Sequence, residues 1–227
     1  MTSLFRTAAI IFLFAPLTFA GDWIDLFDGH SLDGWSVHSG YATFHVREGA
    51  IVGTTATGSP NTFLCTEKTY GDFILEFEVK CDPRLNSGVQ FRSIIPRDDI
   101  AFIFQDRDGK LSAQKHPKDR VYGYQVEITT AENGASGGVY DEARRAYFLQ
   151  DIRGQADASR FRDGEWNKYR IQCQGNHIQT WVNDVPCSDF QDDMTYEGVI
   201  GLQVHSIGDR QDVYQVMWRN IRIQEMD

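Results

Sequence analysis

Basic residues are scarce in this 227-residue chain, which has 22 Lys and Arg against 32 Asp and Glu. The formal net charge is −10 at pH 7, and a surface of that sign repels nucleic acid and anionic membranes. Cysteine is rare as well, with four residues, and no two of them have Cys-x-x-Cys spacing. This spacing argues against a structural zinc site. We therefore expect no nucleic-acid partner and no structural zinc.

No apolar run is long enough to cross a bilayer, although the first 20 residues contain a shorter one. Arg6 precedes an apolar stretch at residues 8–15, and Ala20 is a small residue after which cleavage can occur. This order is typical of a secretory signal peptide. We expect residues 1–20 to be cleaved off and residues 21–227 to form one domain. The product would be secreted or periplasmic, with no membrane contact after cleavage, and nothing in the sequence indicates its oligomeric state.

An exported protein meets an oxidising environment, in which cysteines form disulfides. One or two disulfides are expected here, and the sequence does not choose among the three ways of pairing four cysteines. Free buried thiols are the alternative, since a domain of this length can bury a core without covalent links. The residues concerned are Cys65, Cys81, Cys173 and Cys187.

Helical periodicity is missing, whereas alternation of apolar and polar residues is frequent. Residues 73–79 alternate strictly, and Gly175-Asn176 and Asn183-Asp184 have the composition of tight turns between strands. About a dozen short strands follow from such signals. The sequence therefore predicts an all-β fold, an antiparallel β-sandwich of jelly-roll type. The long charged segment at residues 94–120 is expected to be a functional or mobile loop.

Three predicted strands share one construction, with an apolar face and two polar side chains on the opposite face. If the strands lie in one sheet, these pairs would line one pocket with amide, carboxylate, guanidinium and imidazole groups. Such groups bind sugar hydroxyls, and Tyr122 and Tyr140 could stack on sugar rings. A general base and a cation for an oxyanion are also present. The three pairs are Gln90 and Arg92, Gln125 and Glu127, and Gln203 and His205.

An ordered set of short blocks resembles the 3-keto-disaccharide hydrolase domain family over about residues 21–225. Each block alone is weak, and their order carries the resemblance. The blocks are residues 23–29, 32–35, 86–92, 122–128, 138–141, 165–170, 201–205 and 218–221.

The resemblance implies a concanavalin A-like or laminin G-like jelly roll, found in exported bacterial proteins, that acts on glycosides oxidised to a ketone at C3. One position pair departs from the family pattern. The family strand has its carboxylate where this chain has Gln125 and its amide where this chain has Glu127. Both residues point to the same face of a strand, so the carboxylate is displaced by one pleat.

The expected reaction begins with removal of the C2 proton, which the neighbouring ketone acidifies. The enolate then expels the group at C1, and water adds afterwards. Arg92 is expected to hold the C3 oxygen, and His205 is the first choice of base, with Glu127 second. Substrate binding is expected from Asn86, Gln90, Tyr122, Gln125, Tyr140 and Gln203.

Two alternatives remain open from the sequence. The same fold hosts lectin-like modules, so the chain could bind carbohydrate without cleaving it. No cofactor is expected, although the acidic segment with Asp98, Asp99, Asp106 and Asp108 contains the oxygen ligands that Ca²⁺ prefers. The Glu-x-Asp-x-Glu run of classical glucanases with this fold is absent, which favours an enzyme with one base over one with paired carboxylates.

Overall fold

The computed structural model describes residues 21–105, 108–154 and 160–226, so the predicted signal peptide lies outside the described residues. The described part contains sixteen strands and no α-helix, and so no helix there that could span a membrane. In chain order they are β1 (Ile24–Asp25), β2 (Trp35–His38), β3 (Thr43–Arg47), β4 (Ala50–Thr54), β5 (Thr62–Thr66), β6 (Phe73–Cys81), β7 (Ser87–Ile94), β8 (Ile100–Gln105), β9 (Leu111–His116), β10 (Tyr122–Ile128), β11 (Val139–Glu142), β12 (Asn167–Gln174), β13 (His177–Val182), β14 (Val185–Gln191), β15 (Val199–Val204) and β16 (Gln215–Glu225).

Two antiparallel sheets form the body of the molecule. The eight-stranded sheet has the order β14-β13-β12-β6-β16-β4-β3, and β1 also pairs with β16. The six-stranded sheet has the order β11-β10-β7-β15-β5-β2. Most neighbours in this second sheet are distant in sequence, so the chain crosses repeatedly between the sheets. The predicted all-β antiparallel sandwich is confirmed.

The core lies between the sheets, where alternation places every second side chain of each strand. On β6 the predicted inward residues Phe73, Leu75, Phe77 and Val79 are all at most 1% exposed. Phe77 stacks on Tyr169 of β12, with ring centroids 5.2 Å apart. Such aromatic pairs add about 0.5–1.5 kcal/mol beyond the burial of their area.

A β-bulge in β7 interrupts the alternation on which the site prediction depended. Between the pairs Val199–Ser93 and Gly201–Gln90, β15 contributes one residue and β7 contributes two. Arg92 takes up the extra length in a left-handed conformation, with φ of 46°. The Arg92 side chain therefore points away from the face of the sheet that carries the Gln90 side chain.

The segment at residues 94–120, predicted as a loop, contains a two-stranded hairpin of β8 and β9. After the hairpin, the chain continues along the outer face of the six-stranded sheet. Val121 joins Phe63, Cys65 and Val199 in a second apolar cluster on that face. Most of the outer face is thus covered, and separate cavities remain at its ends.

The disulfide prediction is wrong for this structure, because all four cysteines are free and buried. Cys173 lies opposite Phe73, at the start of β6, whereas Cys81 ends the same strand. The length of β6 separates these two thiols by roughly 27 Å, since a strand rises ~3.4 Å per residue.

Candidate functional site

The candidate site lies at one end of the outer face of the six-stranded sheet. Strand register places Gln125 of β10 opposite Gln90 of β7 and opposite Tyr140 of β11. Glu127, two residues further along β10, lies opposite Gly88. Residues directly opposite one another in antiparallel strands share a face, so these polar side chains converge as the sequence predicted.

A cavity of about 190 Å³ opens at this convergence. It is smaller than the ~300–1,000 Å³ of typical ligand pockets, which suits one sugar ring with the rest of a glycoside outside. Five of its seven lining residues were predicted from the sequence, and two, Glu142 and Phe148, were not. The lining residues are Asn86, Gln125, Glu127, Tyr140, Glu142, Phe148 and His205.

Glu127 is the most perturbed group in the cavity, although 8% of its surface remains exposed. Burial raises the pKa of its carboxyl to about 7, and the charge of Glu142 acts in the same direction. Hydrogen bonds from the amides of Asn86 and Gln125 to its two oxygens only partly oppose this. The carboxyl can therefore gain or lose a proton near neutral pH.

Two buried side-chain amides form a hydrogen-bonded chain that ends at Glu127. Gln90 Nε2 donates to Gln125 Oε1 at 2.8 Å, and Gln125 Nε2 donates to Glu127 Oε2 at 3.2 Å. Gly88 makes room for this arrangement, because a Cβ there would lie 2.5 Å from Gln125 Cδ. The amides therefore have one orientation, with N–H groups directed toward the carboxylate.

His205 lines the cavity just beyond the end of β15. Its Nδ1 lies 2.7 Å from the Ser206 carbonyl oxygen, which only accepts, so Nδ1 carries the proton. In the neutral ring, Nε2 then has its lone pair available. The amide of Ser206 donates to Asn61 Oδ1 at 2.9 Å, which fixes the backbone beside the imidazole.

The remaining lining groups are a second carboxylate and an aromatic pair. Glu142 Oε1 accepts from Asn61 at 3.1 Å and from Arg120 at 2.9 Å, so its charge is paired. Tyr140 and Phe148 meet edge to face, with ring centroids 5.3 Å apart. Burial raises the pKa of the Tyr140 phenol, and neighbouring carboxylates add to the effect, so the hydroxyl stays protonated at neutral pH.

Arg92 does not belong to this site, contrary to the prediction. The bulge turns its side chain toward the eight-stranded sheet, where it is fully buried. Its Nε donates to Gly71 O at 2.8 Å, and its two terminal nitrogens donate to Gly175 O and Asp72 Oδ1, each at 2.7 Å. The guanidinium ties the sheets together and has no reach to a ligand beside Glu127.

Three further predicted binding residues lie outside the cavity lining. Gln90 is fully buried and contacts the site only through Gln125. Gln203 is also fully buried, and neither polar atom of its amide has a hydrogen-bond partner among the described residues. Tyr122 stacks on Phe102 and His116 of the hairpin instead. The bulge in β7 also shifts the register here, because Arg92 and Ser93 both lie opposite Gly123, which has φ of 136°.

The calcium prediction rests partly on Asp106, which lies outside the described residues. Within the described ranges, no group of three or more His, Cys, Asp or Glu side chains is arranged to hold a metal ion.

Comparisons with known proteins agree with the fold. The family model described as 3-keto-alpha-glucoside-1,2-lyase-like domain matches residues 22–224. Carbohydrate-binding module CBM66 from Bacillus subtilis superposes with a TM-score of 0.57 at 15% identity, covering 85% of this chain and 96% of the module. A putative glycosyl hydrolase from Parabacteroides distasonis gives 0.55 at 16% identity, covering 91% and 94%. None of the curated proteins matches significantly.

Proposed function

Because the chain belongs to the 3-keto-alpha-glucoside-1,2-lyase-like domain family, we propose that it cleaves 3-keto-glycosides, with Glu127 as the base that removes the C2 proton. The observation that carries the proposal is the buried Glu127 carboxyl, which lines a cavity the size of one sugar ring and has a pKa raised to about 7. A base is most effective when its pKa is near the working pH.

The sequence favoured His205 over Glu127 as the base, whereas the geometry favours Glu127 over His205. Glu127 has two oxygens held by amide donors, so the orientation of its carboxyl group is fixed, and the residue lines the cavity. His205 offers Nε2, which can accept a proton from water or from a sugar hydroxyl. We assign it to the later hydration step, where water must be deprotonated as it adds to C1.

The enolate oxygen needs a donor, and Arg92 cannot supply one from its position between the sheets. Tyr140 is the group we assign to this role, because it lines the same cavity and its raised pKa keeps the phenol protonated. A neutral donor in a water-poor site can stabilise a developing oxyanion by several kcal/mol, about 2.7–4 kcal/mol for one donor in a well-studied case.

The test follows the two halves of the reaction separately with a 3-keto-disaccharide in D₂O. Exchange at C2 reports proton removal, and free sugar reports cleavage. Glu127→Gln should lose both, whereas His205→Asn should keep exchange and release of the C1 sugar and should accumulate the unsaturated 3-keto sugar that awaits hydration. Tyr140→Phe should slow exchange by roughly 10²–10³-fold. Full exchange in Glu127→Gln would overturn the assignment of the base.

A non-catalytic carbohydrate-binding role is the second candidate, favoured by the edge-to-face pair of Tyr140 and Phe148 on the cavity wall. Aromatic walls bind sugar faces in proteins that do no chemistry. Under this reading the wild-type protein would bind the 3-keto-disaccharide, and Glu127→Gln would bind it equally well. Neither protein would exchange the C2 proton or release sugar.

A further inference from the structure

A second and larger cavity, of about 720 Å³, lies at the other end of the outer face. Strand β2 and the segment after β9 both line it, and they lie next to each other. Ser36, His38 and Asp119 all line it, and none of the three contributes to the Glu127 cavity. Its volume falls within the ~300–1,000 Å³ typical of pockets that hold a small organic ligand.

These three side chains are connected in a fixed order. Ser36 Oγ lies 2.8 Å from His38 Nε2, and His38 Nδ1 lies 2.5 Å from Asp119 Oδ1. Ser36 and His38 are two residues apart on β2, so both side chains project from one face of the strand. Asp119 is brought to them from 81 residues further along the chain.

The tautomer of the neutral imidazole follows from its hydrogen-bond partners. Burial opposes ionisation of Asp119, but hydrogen bonds from His38 and the Ser39 amide outweigh it and lower the pKa of the carboxyl. An ionised carboxylate only accepts, so His38 Nδ1 carries the ring proton. Nε2 is then the acceptor for the Ser36 hydroxyl, as in a serine nucleophile with its general base.

Asp119 is also held in place by Ser39, the residue after His38. Ser39 N donates to Asp119 Oδ2 at 3.0 Å, and Ser39 Oγ donates to Asp119 O at 3.1 Å. The amide of Val121 donates to the same Ser39 hydroxyl at 2.9 Å. Val121 itself is buried against Phe63 and Cys65. The group that orients His38 therefore rests on a packed segment of the fold.

We propose that Ser36, His38 and Asp119 form a nucleophilic triad that hydrolyses a short-chain carboxylic ester bound in this cavity. Ile94, Ile95 and Val199 give the cavity an apolar wall for the acyl chain. Arg97 and Lys118 line it too and bring positive charge for the oxyanion. As the last strand of its sheet, β2 also directs alternate backbone N–H groups away from β5.

The reaction proceeds in two balanced steps. Ser36 Oγ bonds to the acyl carbon while its proton passes to His38 Nε2. The ester C–O bond then breaks, and the alcohol leaves with that proton. Water attacks the acyl-serine next, gives one proton to Nε2, and displaces Ser36 Oγ, which takes the proton back. The products are the alcohol and the carboxylic acid.

The test uses the full chain with a fluorophosphonate and with p-nitrophenyl acetate. We expect one phosphonyl group per chain, located on Ser36 by peptide mass analysis. Ser36→Ala should abolish the adduct and lower p-nitrophenyl acetate hydrolysis by roughly 10²-fold or more. Asp119→Asn, which places the ring proton on the wrong nitrogen, should slow labelling by a comparable factor. Ser112→Ala, on strand β9 and outside the cavity lining, is the matched control and should label like the wild type.

Ser36→Ala removes one hydroxyl, so its melting temperature should stay within a few degrees of the wild type. A purely structural role for Ser36 and His38 would change that temperature and leave no adduct in any variant. An unlabelled wild type, an adduct on another residue, or hydrolysis by Ser36→Ala within twofold of the wild-type rate would each overturn the proposal.

Discussion

Replacing Glu127 by Gln should change how the stability of the protein depends on pH. Burial, assisted by the charge of Glu142, raises the pKa of Glu127 from an ordinary 4.5 to about 7 in the folded state. That difference corresponds to about 3 kcal/mol, the extra cost of ionising the carboxyl after folding. Below pH 4.5 the group is protonated whether the chain is folded or not, so no cost arises. Above pH 7 it is ionised in both states, and the folded protein carries the whole cost.

The wild type should therefore lose about 3 kcal/mol of unfolding free energy between pH 4.5 and pH 8.5 relative to Glu127→Gln, which cannot ionise. The substitution also has a cost that does not depend on pH. Asn86 and Gln125 both direct N–H groups at this side chain, and a glutamine has one oxygen where the carboxylate has two. Comparing the two pH values cancels that cost, as it cancels every other group that titrates equally in both proteins.

Urea denaturation followed by tryptophan fluorescence measures the required free energies. The stability difference between Glu127→Gln and the wild type should move by about 3 kcal/mol in favour of the variant as the pH rises from 4.5 to 8.5. Glu132→Gln, at an exposed position, is the matched control and should show a shift below about 0.5 kcal/mol. A shift for Glu127→Gln no larger than about 1 kcal/mol would refute the burial argument, and with it the raised pKa on which the choice of base depends.

Two further substitutions and one labelling experiment test different parts of the structure. Arg92→Met should cost about 1–3 kcal/mol of unfolding free energy, because it leaves the carbonyl oxygens of Gly71 and Gly175 without the guanidinium that donates to them, while Asp72 keeps the bond from Gly175 N. A loss of cleavage activity with unchanged stability would return Arg92 to the site. Gly88→Ala should displace Gln125 and lower stability by about 1–3 kcal/mol, together with cleavage activity, whereas unaltered activity would mean that the amide chain does not position Glu127. The cysteine thiols should react with a thiol reagent only after denaturation, with a stoichiometry of four without reductant, and a lower count would reveal a disulfide.

The sequence predicted the face of each strand correctly wherever the alternation was unbroken. Asn86, Gln125, Glu127, Tyr140 and His205 were expected together and do line one cavity. Assigning side chains to faces by alternation needs only a local pattern of apolar and polar residues and a buried core. The strand that starts at Phe73 showed such a pattern clearly.

The failures come from backbone irregularities and from long-range placement. Arg92 sits at a bulge in a conformation that its residue type does not indicate, so nothing local predicted its reversal. Tyr122 lies beside the same irregularity, because two residues of β7 lie opposite Gly123 at that point, and a glycine inside a strand is a known sign of a bulge or of close backbone approach. Glu142 and Phe148 reach the cavity only because β11 pairs with β10, a choice of neighbour that no single strand specifies.

One bulge accounts both for the missing cation and for the orientation of the amides at the site. In a regular strand, Gln90 and Ser93 would point to opposite faces, since they are three residues apart. The extra residue in β7 brings them to the same face, where Ser93 Oγ lies 2.6 Å from Gln90 Oε1 and donates to it. With its oxygen occupied, Gln90 presents its N–H group to Gln125, which in turn presents its own to Glu127. The distortion that removes the Arg92 guanidinium from the site thus leaves a line of amide dipoles directed at the carboxyl, and restoring regular alternation would break that line at its first hydrogen bond.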